Sequence, residues 1–218
     1  MAKSGHTRVS VVTNGANTGL FTQEGERSPE NGPYIAFVGG LTAWHGINTM
    51  ITATKSHHWP EGVNLIIIGD GIEREQVAQA AQNARVKALG RLSQAEAAMY
   101  LRGALGALSI TEDRQATGNL ATGVAPLKLF EAMASGVAVI VSDLPFQSEI
   151  VQQHEAGLVI PMGNAEALAK AVAALAHDPA HARLMGQNGA AYVIAHASWQ
   201  ARADEIGHIM SLSLDAAA

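Results

Sequence analysis

Short runs dense in Val, Ile and Leu alternate along the chain with longer segments in which apolar residues recur every three or four positions. The short runs fall at 34–38, 64–68, 85–89, 107–110, 137–141 and 158–160. Most are apolar at consecutive positions rather than at every second one, the pattern of strands covered on both faces. The longer segments at 47–56, 73–81, 94–102, 127–134, 147–152 and 165–176 read as helices, and two more at 180–194 and 198–212 follow them. Asp178-Pro179 separates two of these helices, because proline suits a first helical turn and not an interior. A further short strand is expected at 9–12, followed by a polar, turn-rich linker over 15–32. There is no internal repeat.

Alternation of this kind predicts an α/β fold: a Rossmann-like, doubly wound, parallel six-stranded sheet in the order 3-2-1-4-5-6. In that order a ligand crevice opens between the carboxyl ends of the first and fourth strands. The first strand ends in Gly39-Gly40, and the fourth leads into a loop that finishes at Pro126. These two loops are expected to face each other.

Composition narrows the function classes. A chain of 218 residues, 48% hydrophobic, suits one compact domain. Its formal charge of −5, with only 14 Lys and Arg spread thinly, gives no footprint for nucleic acid or an anionic membrane. The absence of cysteine excludes disulfides and thiolate metal sites. No apolar run approaches the roughly 18–20 residues that span a bilayer, and residues 1–9 carry no signal-peptide core, so a cytoplasmic location is the expectation.

The segment from Pro126 to Glu131 carries the candidate chemistry. Proline at a helix start has no N–H to lose, and the amides of Leu127, Lys128 and Leu129 that follow lie among those without intrahelical partners. They make an anion site at the positive end of the helix dipole. Leu127, Phe130 and Ala134 are expected to face the sheet, with Lys128 and Glu131 sharing the crevice face. There a lysine can pair with phosphate, and a carboxylate one turn on can accept from both hydroxyls of a ribose. Taken singly, each residue also fits a plainer role, Glu131 as an acid favoured near a helix start and Lys128 as a solvated charge.

In the facing loop, Gly39 and Gly40 permit close approach of a phosphate to the backbone, and they equally suit a tight turn. Gly69-Asp70-Gly71, after the second strand, is a fragment of the dinucleotide fingerprint whose spacing fails at Arg74, which disfavours NAD. No Asp-x-Asp pair, His-Glu-x-x-His zinc signature, Walker-A loop or Gly-x-Ser-x-Gly elbow is present. His57-His58 read as an exposed helix end.

The ordered series FVGGLTAWHGI, LIIIGDG, VKALGRL, PLKLFEAMASGVAVIVSDLP, EIV, GLVIPMGNAEALA and Ser198-Trp199 covers nearly the whole chain from Val11 onward. It resembles the C-terminal domain of the GT-B-fold, retaining glycosyltransferases of family four. The resemblance implies a nucleoside-diphosphate-sugar donor bound mostly by this domain, and transfer of a hexose with retention to a glycan, lipid or small-molecule acceptor. The acceptor would sit on an N-terminal domain outside this chain, without which this chain would be inactive alone. It also implies charge stabilisation without a metal or other cofactor, with Glu131 and Lys128 as the catalytic residues. Residues 1–32 become a lead-in from the other domain, 33–197 the donor domain, and 198–218 a helix that crosses back and is partly uncovered here.

The family's paired glutamates, eight positions apart, fall on Gly123 and Glu131. The arginine and lysine that normally neutralise the diphosphate fall on Gly40 and His45. The Pro-Leu-Lys-Leu-Phe-Glu run resembles a subgroup that commonly lacks the first glutamate. Each lost charge-assisted hydrogen bond costs about 1.5–3 kcal/mol, so a substitute is needed: the candidates are His45, if protonated or donating from one ring nitrogen, Lys128 and Arg114, of which Lys128 and Arg114 are expected to neutralise the phosphates. Base recognition is expected along Lys87, Leu89 and Arg91 at the end of the third strand. The other reading is a non-catalytic module that binds a nucleotide or sugar phosphate.

Overall fold

The computed structural model describes residues 9–112 and 124–215. Six parallel strands, β1 (Tyr34–Val38), β2 (Asn64–Ile68), β3 (Val86–Gly90), β4 (Gly106–Ser109), β5 (Val139–Ser142) and β6 (Gly157–Ile160), form one sheet. Their order is β3-β2-β1-β4-β5-β6, so the direction of winding reverses between β1 and β4 as expected. The helices are α1 (Ile47–Ala53), α2 (Arg74–Ala80), α3 (Gln94–Gly103), α4 (Leu127–Ala134), α5 (Gln147–Gln153), α6 (Ala165–His177), α7 (Pro179–Tyr192) and α8 (Trp199–Asp215).

Alternate strand residues feed two apolar layers, one on each face of the sheet. Ile35 and Phe37 of β1 and Leu65 and Ile67 of β2 join Met50, Leu168 and Val172 on one side. Ala36, Ile66 and Ile68 join Leu101, Leu129, Phe130 and Met133 on the other. Each fully buried large side chain contributes about 1.5–3 kcal/mol, so the two layers hold α1, α6, α3 and α4 against the sheet.

Where elements begin later than the sequence pattern indicates, local hydrogen bonding accounts for it. β5 starts at Val139 and not at Val137, because Gly136 (φ 72°) and Val137 donate to Met133 and Ala132 carbonyls at 2.9 and 3.3 Å and close α4 as a Schellman cap. β3 starts at Val86 because Arg85 belongs to a turn, its amide donating to Asn83 Oδ1 and its guanidinium to the Thr54 carbonyl. α7 gives way after Tyr192 to a π-helical turn, Val193–Ala197. The strand expected at 9–12 does not form: Val9 and Val11 are exposed, and the backbone pairs only at Ala16, which bridges to Ser198.

That bridge ties the lead-in to α8. Ala16 donates to the Ala197 carbonyl at 2.8 Å and Trp199 donates back to Ala16 at 3.0 Å. The Arg202 guanidinium then reaches Thr13 Oγ1 at 2.7 Å, the Asn14 carbonyl at 3.2 Å and Glu205 at 2.9 Å. Trp199, Ile206 and Met210 of α8 are exposed. Among the described residues no helix is long and apolar enough to cross a membrane.

Candidate functional site

The carboxyl ends of β1 and β2 carry two glycine loops that interlock. Gly39 donates to the Ile68 carbonyl, Leu41 to that of Asp70, and Glu73 to that of Leu41, each at 3.0 Å. A Cβ at Gly69 would lie 1.8 Å from the Gly39 carbonyl oxygen, and one at Gly71 would lie 2.4 Å from that of Leu41. These two glycines are therefore required by the approach of backbone to backbone. Asp70 closes its own turn by accepting the Gly71 amide at 2.8 Å.

Above this floor lies a cavity of ≈ 410 Å³ lined by Gly39, Gly40, Gly69, Asp70 and Glu131, together with Phe21, Arg91, Leu92 and Gln94. Four of the loop residues expected from sequence and the α4 glutamate thus meet in one place. His45, Gly71, Lys87, Leu89, Pro126, Leu127, Lys128 and Leu129 do not line it. The Lys87 ammonium pairs instead with Glu30 of the lead-in, and Arg91 and Leu92 occupy the end of the cavity beyond β3. Arg114 and Gly123 lie outside the described residues.

α4 begins as expected, with Pro126 extended (φ −74°, ψ 137°) just before the first helical residue, but its side chains are arranged differently. Leu127, expected against the sheet, is 46% exposed, whereas Leu129 and Phe130 are fully buried. The Leu129 amide is not free either, since it donates to the Pro126 carbonyl at 3.1 Å. Of the three amides expected to bind an anion, those of Leu127 and Lys128 remain.

Lys128 is buried rather than solvated. Its Nζ has no hydrogen-bond partner and sits 4.5 Å from the centre of the Phe37 ring. A Cβ placed on Gly39 would come within 3.1 Å of the same nitrogen, so the α4 lysine reaches directly onto the β1 loop. The start of α4 thus faces the β1 loop, as the strand order requires. Burial pushes the Lys128 ammonium down to about 7, against the opposing pull of Glu131. Burial raises the Glu131 carboxyl, and the nearby Lys128 charge draws it back.

His45, at the end of the short 3₁₀ turn Ala43–His45, is 2.6 Å through Nδ1 from the Gly40 carbonyl and 2.9 Å from Thr42 Oγ1. A carbonyl oxygen only accepts, so Nδ1 carries the hydrogen and Nε2 is an acceptor in the neutral ring. Burial, then the Lys128 charge, push the ring down to about 4 in spite of the Gly40 bond. His45 is thus largely neutral near pH 7.

Buried polar contacts, not legible in the sequence, hold Thr111 and Glu112 just after β4. Thr111 donates its amide to Ser142 Oγ at 2.9 Å, and the Ser142 hydroxyl donates back to the Thr111 carbonyl at 3.0 Å. Glu112 donates its amide to the Trp44 carbonyl, and its carboxylate takes both the amide and the hydroxyl of Thr49. Asn14 donates to the Ala125 carbonyl at 2.8 Å, just ahead of Pro126.

The family described as "Glycosyl transferases group 1" matches residues 21–192, from Phe21 in the cavity wall to the end of α7. The chain belongs to this family. Among curated relatives of this group 1 glycosyl transferase, the alpha-maltose-1-phosphate synthase of Mycolicibacterium smegmatis is 30% identical over 214 residues, covering 88% of this chain and 54% of the relative. A GDP-mannose-dependent alpha-mannosyltransferase of Mycobacterium tuberculosis is 27% identical, over 83% of this chain and 43% of its own. The chain therefore spans about half the length of the curated relatives it matches. Among solved structures, sucrose-phosphate synthase from Thermosynechococcus elongatus superposes with a TM-score of 0.79 at 26% identity, covering all of this chain and 55% of that one. Anabaena Alr3699/HepE in complex with UDP has the same fold, with a TM-score of 0.75 at 18% identity over 93% of this chain and 57% of its own. The group 1 domain is thus one Rossmann-like half of a GT-B fold.

Six cavity-lining residues were missed in sequence, Phe21, Val38, Ile68, Leu92, Gln94 and Ala97, and only the Gln94 amide among them carries polar side-chain groups. Phe21 had one signal, as a buried aromatic in an otherwise polar linker.

Proposed function

We propose that this domain binds the nucleoside-diphosphate part of a hexose donor in the ≈ 410 Å³ cavity and serves a retaining glycosyltransferase. The observation that carries this reading is the buried, unpartnered Lys128 ammonium held against Gly39. A buried charge without a partner is costly, and a bound oxyanion supplies the missing acceptors. The diphosphate lies over Gly39 and Gly40, where Lys128 and the free amides at the start of α4 meet it. Glu131, one turn further along α4, accepts the ribose hydroxyls. The base extends towards Arg91 and Leu92.

In this reading Lys128 takes over from the cations that Gly40 and His45 do not provide. As the glycosidic bond to the leaving diphosphate breaks, negative charge grows on the phosphate oxygens, and Lys128 and the α4 amides stabilise it without a metal. Relatives named as an alpha-maltose-1-phosphate synthase and a GDP-mannose-dependent alpha-mannosyltransferase support a hexosyl donor, and solved neighbours in complex with UDP or UDP-glucose support a nucleotide ligand.

The acceptor belongs to a second domain, which the lead-in and α8 join. The exposed Trp199, Ile206 and Met210 support α8 as the element that crosses to it. Alone, the present chain binds donor and transfers little, in a cytoplasmic setting and without nucleic-acid partners. A thermal-shift panel of UDP, GDP, ADP and their sugars tests the reading. We expect stabilisation by one nucleotide series; no shift with any at millimolar concentration sinks it.

A further inference from the structure

At the opposite, amino-terminal edge of the sheet lies a second recess, of ≈ 240 Å³. Arg27 of the lead-in, Arg102 near the end of α3 and Arg183 of α7 all line it, and no lining residue is acidic. The chain carries a net charge of −5, yet three of the seven arginines among the described residues converge here. Such convergence is electrostatically unfavourable unless something negative offsets it.

The three side chains differ in how they are held. Arg102 is fixed: its Nε donates to the Glu26 carbonyl at 2.8 Å and its Nη1 to the Leu20 carbonyl at 3.3 Å. Arg27 and Arg183 make no hydrogen bond or ion pair among the described residues. The nearby wall is rigid, since a Cβ on Gly103 would lie 2.4 Å from the Tyr34 hydroxyl. That hydroxyl is tied to Ser28 at 2.6 Å and donates to the Tyr100 carbonyl at 2.7 Å. Burial holds Tyr34 up at about 12, so the wall adds no negative charge. Asp178 caps α7 through the His181 amide and is not among the lining residues.

We propose that this recess is a second ligand site, in which Arg27, Arg102 and Arg183 grip the terminal oxyanion of a phosphate-bearing ligand. Guanidinium groups present paired N–H donors that match phosphate oxygens, and one fixed arginine with two adjustable ones suits a head group of variable tilt. The volume is below the roughly 300–1,000 Å³ typical of whole-ligand pockets, so it admits a phosphate monoester head and little more. The negative charge of the chain as a whole favours a compact anion over a polyanion.

A soluble phosphate ester and a phospholipid head group share this chemistry. The test titrates the whole chain with glucose 6-phosphate, and separately with phosphatidylcholine vesicles with and without phosphatidic acid, at matched ionic strength. We expect saturable binding of one of them, weakened at least tenfold in R27Q/R183Q and unchanged in K128M. Binding of the sugar phosphate alone assigns a soluble ligand, and binding only of vesicles containing phosphatidic acid assigns a lipid head group. Binding that survives in R27Q/R183Q, binding lost in K128M, or no saturable binding beyond that of chloride overturns the proposal. Because R27Q and R183Q alter exposed side chains, the fold is retained, and nucleotide binding at the other end of the sheet serves as the independent control.

Discussion

The ammonium of Lys128 rests 4.5 Å from the centre of the Phe37 ring, joining the first turn of α4 to β1 across the point where the sheet reverses its winding. A cation over an aromatic face gains about 0.5–2 kcal/mol, less than a buried charge loses in leaving water. The contact thus offsets only part of that cost.

Replacing this lysine separates stability from binding. We expect K128M, similar in length and uncharged, to unfold at a higher temperature than the parent without ligand, because the unpartnered charge is gone. Its affinity for the nucleoside diphosphate should fall by about 10- to 100-fold, the equivalent of one charge-assisted hydrogen bond. Calorimetric titration and thermal melts on the same samples check both; a variant that melts lower and binds as before contradicts the role.

The pH response has a definite sign. Lys128 is held at about 7 in the folded protein against an ordinary 10.5, so the unfolded chain binds more protons between these values. From this group, stability is lowest below about pH 7 and rises with pH towards 10.5. Donor affinity moves the other way, weakening above pH 7 as the free protein loses the proton that binding needs. Near pH 8 the binding enthalpy should depend on the ionisation enthalpy of the buffer, reporting proton uptake. K128M should show no such dependence. His45, held at about 4, is already neutral throughout this window.

Glu131 is expected to read the ribose. In the parent, a nucleoside diphosphate should bind more tightly than its 2′,3′-dideoxy analogue, by about 100-fold or more if two hydrogen bonds to a charged acceptor are lost. In Glu131→Ala the two ligands should bind alike. A preference for ribose that persists in the variant places the hydroxyls elsewhere.

The glycine floor makes a prediction about stability alone. Gly69→Ala and Gly71→Ala should each destabilise by about 1–3 kcal/mol or more, since the new carbon meets backbone oxygen that no rotamer change can move. Gly207→Ala, in an open stretch of α8 with nothing within 4 Å, should be neutral or slightly stabilising. Denaturant titration of the three variants distinguishes them; equal midpoints contradict the interlock.

β1, β2 and α4 occupy the residues their apolar patterns indicate, because their ends are set by nearby Gly and Pro residues. The strand order follows from the alternation of elements. The orientation of Leu127 and Lys128 was not legible, because helical periodicity relates residues to each other and not to the edge of the sheet beneath. Nor was the meeting of Phe21 with Arg91, or that of Arg27 with Arg102 and Arg183, since each joins segments far apart in sequence. The protonation state of His45 was not legible either, because it depends on burial and on Lys128, which only the folded chain brings near.

Gly69 and Gly71 leave their loop almost no freedom to change its chemistry, because any side chain there collides with the neighbouring main chain. Diversification of such a pocket must come from across the gap. A residue one turn into α4 is well placed for that, since it can exchange length and charge without disturbing the loops it touches. The lysine at this position is thus a tuning point through which a fixed backbone cradle acquires a different proton economy.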